Sequence, residues 1–214
     1  MRTERNQEIS SPEGNIFVIS APSGSGKTTL IKRLMATVPE LIFSVSHTTR
    51  SPRLGERKGR EYFFVTPTRF RRMVTAGKFV EWAQVFGHLY GTTWDQLNMA
   101  RRSGSDVLLD IDVQGHRQLR RRLPDAVSIL VLPPSFKELE RRLRRRHLDT
   151  PEVIAKRLAC ARGEITHWRE YDFLIINDQV GRALQAMRAV VTAARHRRQV
   201  VAGRVQQICE SFGG

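Results

Sequence analysis

Residues 20–29 read SAPSGSGKTT, and their order suits one kind of chemistry. Gly24 and Gly26 let the backbone turn so that successive N–H groups converge on anionic oxygens, with a helix N-terminus behind them. Lys27 supplies a point charge for the β- and γ-phosphates of a nucleoside triphosphate, and Thr28 a hydroxyl for Mg²⁺. The usual pattern, G-x-x-x-x-G-K-[ST], begins with glycine; here that position is Ala21. It needs a small residue at the strand-to-loop bend, and alanine is the next smallest. The loop Ala21, Pro22, Ser23, Gly24, Ser25, Gly26, Lys27 and Thr28 is therefore read as the phosphate-binding element for a nucleoside triphosphate, a loop shared by GTPases, motor ATPases and small kinases. A second carboxylate belongs with it. VLLDIDVQG is an apolar strand ending in Asp110, placed as a Walker B residue that holds Mg²⁺ through its water shell.

Other residues point to the phosphoryl acceptor. Arg50 and Arg53, three apart and followed by Tyr62, can clamp a monophosphate through bidentate hydrogen bonds. In FVEWAQVFGHLYGTT, Glu81 falls on the same strand face as Phe79, Ala83 and Val85. A carboxylate in an apolar row is costly unless paired. Guanine offers two donors on one edge, N1–H and the exocyclic amine, and one carboxylate satisfies both. Arg142 and Arg146 are four apart and share one helix face, where a closing lid would bring them onto the phosphates and keep water out.

The elements that must position these groups are legible. NIFVIS before the loop reads as a buried parallel strand, and TTLIKRLMATV after it has helical spacing. DVLLDIDV, AVSILVL and YDFLIIN are three further buried-strand candidates, each followed by an arginine-rich helical segment. Alternating strands and helices imply an α/β fold: a parallel sheet with helices on both faces. Between Ser46 and about Gly91 the pattern changes to short alternating strands, REYFFV and FVEWAQVF, with a hairpin near GHLYG. Thr66-Pro67 reads as a helix start and Gly77 as its end. We expect a flexible lead at 1–13, a P-loop core at 14–45 and 104–214 with a helical lid at about 141–157, and a small α+β insertion at 46–103. The segment from about Val180 reads as one long helix.

Composition bounds the rest. The 214 residues suffice for one sizeable core, and no apolar run approaches the roughly 20 residues that cross a bilayer. The polar start lacks the apolar region of a secretory signal, and two cysteines suggest a reducing cytoplasm. The formal charge is +15, and only six of the 36 basic residues are lysine. Such a surface attracts polyanions, but no nucleic-acid motif accompanies it. The six histidines, His47, His88, His116, His147, His167 and His196, show no metal spacing and are read as incidental. The arginines of RQLRRRLP are read as surface.

Taken in order, the phosphate loop, FSVSHTTRSPRLGE, FVEWAQVFGHLYGT, LLDIDVQG and EVIAKRL resemble a guanylate kinase over about residues 14–180. The resemblance implies a P-loop kinase with core, GMP-binding and lid parts. It implies transfer from ATP to GMP, and also to dGMP, with Mg²⁺, in guanine nucleotide metabolism. ATP and GMP are then the partners, with neither nucleic acid nor membrane, and the choice between monomer and homo-oligomer stays open. It would set Ser46, Glu81, Thr92 and Asp112 against the guanine, and Arg50, Arg53, Tyr62 and Tyr90 against the GMP phosphate. Lys27, Arg142, Arg146 and Arg157 would be catalytic. Three positions depart from the family pattern: His47 stands where serine is common, RRRHLDTP is more basic than the usual lid, and Gln179 follows IND in place of an aspartate. A protein-binding relative without catalysis would lack Lys27 or the lid arginines. A kinase for another nucleoside monophosphate would lack the Glu81 and Asp112 pairing.

Overall fold

The computed structural model describes residues 14–145 and 150–212; the expected lead at 1–13, Arg146 and His147 lie outside them. The first part of the chain forms β1 (Ile16–Ser20), α1 (Lys27–Thr37), β2 (Leu41–Phe43), β3 (His47–Thr48), β4 (Phe63–Phe64), α2 (Pro67–Thr75), β5 (Phe79–Val85), β6 (His88–Thr93) and α3 (Trp94–Arg102). There follow β7 (Asp106–Asp110), α4 (Val113–Arg122), β8 (Val127–Leu132), α5 (Phe136–Arg145), α6 (Pro151–Ile165), β9 (Phe173–Ile176), α7 (Val180–Arg195) and α8 (Arg198–Ser211).

Five strands form a parallel sheet in the order β2-β7-β1-β8-β9. Strand alternation divides its side chains between two faces. Phe17 and Ile19 of β1 join Leu108, Ile129 and Ile175 beneath α1 and α7, through Leu30, Leu34, Met187 and Val191. Ile16 and Val18 face the other way, joining Val107 and Leu109 beneath α3 and α4, through Leu97 and Leu119. Every residue of β1 is buried, which is why it reads as a continuous apolar run. The fold is thus α/β with helices on both faces of the parallel sheet. β2 was not foreseen: three residues at the sheet edge, one of them exposed, carry no periodic signal.

A second sheet has the order β4-β3-β6-β5. Its longest pairing is the β5–β6 hairpin, with Val85 opposite His88 and a turn at Phe86-Gly87. Of REYFFV, only Phe63 and Phe64 form strand. Helix α2 begins where the sequence indicated: the Thr66 side chain accepts from the Arg69 N–H and Pro67 is the first helical residue. Gly77, at φ 63°, follows its end. Phe70 of α2 stacks on Phe79 with ring centres 4.5 Å apart.

Helix α4 ties the sheets together. Gln118 donates to the Trp82 carbonyl at 2.6 Å and accepts from the Trp82 N–H at 3.2 Å. Arg122 donates to the carbonyls of Phe79 and Val80 at 2.7 and 2.8 Å. These bonds satisfy β5 backbone groups that an open sheet edge would leave unpaired. Three arginines of RQLRRRLP, all on its exposed side, therefore act as tethers: besides Arg122, Arg117 pairs with Glu170 and Arg120 with Asp172. His116, read as incidental, is a core residue. It stacks on Tyr171 with centroids 4.0 Å apart, and burial, assisted by Arg120, presses its pKa down to about 4.

The single long C-terminal helix is corrected to two. At the end of α7 the bonds tighten, His196 N–H to Ala193 and Arg197 N–H to Ala194. Arg197 then leaves helical geometry at ψ 140°, and α8 begins at Arg198. No glycine or proline marks this break, so spacing could not reveal it.

Candidate active site

The loop between β1 and α1 has the conformation its glycines permit. Gly24 and Gly26 sit at φ 99° and 92°, where other residues are strained. Gly26 also caps α1 with no side chain over the helix end, so no side-chain oxygen there occupies the N–H groups of the first turn. Ala21 is half-buried and packs against the core cluster under α1, a role that a small apolar residue fills.

Lys27 Nζ forms an ion pair with the Asp110 carboxylate at the end of β7. Both side chains keep partial exposure, so the ammonium can exchange this partner for a phosphate. Thr28 is exposed at the start of α1. Among the described residues, no group of three or more His, Cys, Asp or Glu could hold a metal ion. A cation here would rest on Asp110, Thr28, water and substrate oxygens. That hard-oxygen set, with one carboxylate, fits Mg²⁺ better than a cation needing a full protein cage.

Two arginines reach this loop from the helical pair α5–α6, whose apolar faces pack on each other through Leu139, Leu143, Ile154, Leu158 and Ala161. Arg142 donates to the Ser25 carbonyl at 3.4 Å and the Asn177 carbonyl at 2.9 Å, while Glu138 holds its Nε at 2.7 Å. Arg157 donates to Ser23 Oγ at 3.1 Å. Arg141 and Arg144 pair with Glu138 and Glu140 on the exposed side of α5.

The second sheet gathers the remaining residues. Glu81 is 3% exposed and stands opposite Thr92 across the β5–β6 ladder. Its Oε1 accepts from the Thr92 N–H at 2.9 Å, and Ser46 Oγ lies 3.5 Å from Thr92 Oγ1. Asp112 caps α4, accepting from the Gly115 N–H at 2.8 Å. Burial, with the nearby Asp112 charge adding to it, pushes the Glu81 carboxyl up to about 7 against the pull of its Thr92 bonds. Tyr62 and Tyr90 meet at 5.7 Å, and the Arg50 guanidinium lies over Tyr62 at 5.4 Å. Arg50 donates from one nitrogen, Nη2, to both Glu56 carboxylate oxygens at 2.8 and 2.9 Å. Arg53 differs: its backbone N–H reaches Glu56 at 2.7 Å, but the residue is exposed. Burial and the charge of Asp110 raise the Tyr62 hydroxyl to about 12. The Tyr62 cluster and the Lys27–Asp110 pair therefore lie within each other's electrostatic reach.

Three contributors escaped the sequence reading. Glu56 orients Arg50, and its only sequence signal was a carboxylate six residues on. Asn177 is 2% exposed and donates to the Ser25 carbonyl at 2.7 Å across 152 positions of sequence. A Cβ on Gly26 would come within 2.4 Å of that Asn177 amide, so Asn177 braces the loop from behind. Gly115 is the third. A Cβ there would lie 2.4 Å from Glu81 Oε2. Gly115→Ala is expected to leave a folded protein but displace the Glu81 carboxylate. Kinetics should then show KM for GMP raised about tenfold or more, with KM for ATP little changed; an unaltered GMP KM would show that the carboxylate position is not critical.

Residues 13–194 match the guanylate kinase family model. The chain belongs to the guanylate kinase family. Family members from several bacteria are similar along most of their length. The guanylate kinase of Bordetella pertussis is 47% identical over 205 residues, covering 96% of this chain and 95% of the relative. That of Koribacter versatilis is 52% identical over 188 residues, covering 86% and 81%. A crystal structure of guanylate kinase from Anaplasma phagocytophilum superposes with a TM-score of 0.74 at 32% identity, covering 88% of this chain and 90% of that one.

Proposed function

We propose that this guanylate kinase family member transfers the γ-phosphoryl group of ATP to GMP, giving ADP and GDP, through the residues gathered around the phosphate loop and Glu81. The observation that carries this reading is a buried carboxylate set among hydroxyls, beside a phosphate loop. Glu81 faces Thr92, Ser46 and the charge of Asp112, a set that suits the donor edge of guanine. Arg50, Tyr62 and Tyr90 form the adjacent anion site, with Arg53 on its rim, and would take the GMP phosphate.

Phosphoryl transfer asks the protein for positioning and charge neutralisation more than covalent chemistry. Backbone N–H groups of residues 24–28 would cradle the β-phosphate, and Lys27 would leave Asp110 for the β- and γ-phosphate oxygens. Arg142 and Arg157, already touching the loop, meet charge that spreads over the transferring group. Arg146 belongs to the same proposal from its sequence position alone. Thr28 and Asp110, the latter through water, would hold Mg²⁺, which when bound supplies further neutralisation of phosphate charge. Glu81 and Asp112 would fix the base, so the phosphate of GMP is presented to the loop and water has no place in the line of attack.

No helix among the described residues is long and apolar enough to cross a membrane. Cys160 and Cys209 are free and exposed. We place the reaction in the cytoplasm, where such thiols stay reduced and ATP is available.

The test is product analysis. Protein incubated with ATP, GMP and Mg²⁺ should form ADP and GDP in equal amounts, and excess EDTA should abolish both products. ADP release without GDP would mean hydrolysis, and would contradict the assignment.

A further inference from the structure

The β5–β6 hairpin closes with a two-residue turn, Phe86-Gly87, at φ 48° and 83°. Two positive φ values in a two-residue hairpin call for Asn-Gly, Asp-Gly or Gly-Gly. Phenylalanine is a poor choice, because its Cβ and ring crowd the backbone in the left-handed region. Nor is the ring core material, being 56% exposed. An unfavourable conformation kept for an exposed aromatic points to a use for the ring. The guanidinium of Arg157 lies 5.9 Å from its centroid. That same guanidinium donates to Ser23 Oγ of the phosphate loop at 3.1 Å. Phe86 thus links the tip of the second sheet, through Arg157 on α6, to the loop.

We propose that Phe86 is a positioning residue, whose ring face holds the Arg157 guanidinium against the phosphate loop and so couples the acceptor-side sheet to the phosphoryl-transfer site. This rests on the reading of Arg157 as a phosphate-facing arginine. An aromatic face attracts a cation through its quadrupole, and the guanidinium plane suits such a contact. A second route leaves the hairpin at Gln84, whose carbonyl accepts from Gln114 at 3.5 Å while Gln114 also donates to Asp112 at 3.1 Å, so the Arg157→Ala background is needed to separate the two.

The proposal sets stability and activity against each other. Phe86→Asn places the favoured Asn-Gly pair in the turn, so its thermal midpoint should equal or exceed that of the unsubstituted protein. Its kcat for ATP and GMP should nonetheless fall about two- to fivefold, the range of an exposed cation–π contact, with KM for GMP nearly constant. Phe86→Tyr should restore most of kcat, whereas Phe86→Leu, apolar but without a ring, should not. In an Arg157→Ala background, Phe86→Asn should cause no further loss. Unchanged kcat in Phe86→Asn, or a loss of equal size in the Arg157→Ala background, would overturn the coupling. If Arg157→Ala alone retained full kcat, the reading of Arg157 itself would fail, a result separable from failure at Phe86.

Discussion

Lys27→Ala is expected to lower kcat by about 10²–10³-fold while the protein stays folded. The magnitude follows from removing one preorganised positive donor from developing phosphate charge. The fold should survive because both partners keep some exposure, 20% and 28%, so water can solvate the Asp110 carboxylate that the substitution leaves behind. Lys27→Arg keeps the charge but not its compact shape, and should recover only part of the loss. Steady-state kinetics with a thermal melt on the same sample decides the matter. Near-normal turnover in Lys27→Ala would remove the loop from the mechanism.

The second large effect concerns base choice. An ionised carboxylate accepts hydrogen bonds and donates none. Guanine presents Glu81 with N1–H and N2–H₂, whereas adenine presents a lone pair at N1 and a C–H at position 2. A site built to bond a substrate donor rejects analogues lacking it by up to about 10⁴–10⁵ in kcat/KM. Glu81→Gln should narrow the GMP/AMP gap sharply, since an amide can donate to adenine N1 and still accept one bond from guanine. If the ratio did not change, the role of base reader would pass to Asp112.

Acidity gives the same residue a second signature. Burial raises the Glu81 carboxyl to about 7, so below that pH the free site is protonated and must lose its proton to receive guanine. KM for GMP should climb toward tenfold per unit as pH falls below 7, and Glu81→Gln should flatten that rise. Because the folded value lies above the unfolded one, the contribution of Glu81 to stability is fully present below the ordinary glutamate range. It is lost as pH rises through about 7. Above that pH the ionised carboxylate is a burden on the free protein, on the order of 3 kcal/mol. Glu81→Gln should therefore melt higher than the unsubstituted protein at pH 8 even as it loses selectivity.

These residues also show what a sequence displays and what it hides. The phosphate loop was legible because its strand, glycines, lysine and helix are contiguous, and each acts through local geometry. Glu81 was legible because a carboxylate on an apolar strand face violates the pattern around it. Helix α2 was legible from Thr66, Pro67 and Gly77, which act on the backbone beside them. Strand β2, and the two-residue strands β3 and β4, are too short for alternation to register and exist by virtue of their partners. Asn177 and Gly115 stayed hidden for a different reason. One braces a loop 152 positions away, and the other matters only because Glu81 passes close to it in space. His116 looked incidental until Tyr171, 55 residues on, provided the ring it stacks against.

The most direct measurement of the whole account is kcat/KM for GMP, AMP, CMP and UMP with ATP and Mg²⁺ in one coupled ADP-release assay. The account predicts GMP above AMP by several orders of magnitude, with CMP and UMP at least as poor as AMP. Comparable values for GMP and any other nucleotide would contradict it, because adenine, cytosine and uracil do not offer the buried Glu81 carboxylate the two adjacent donors, N1–H and N2–H₂, that guanine does.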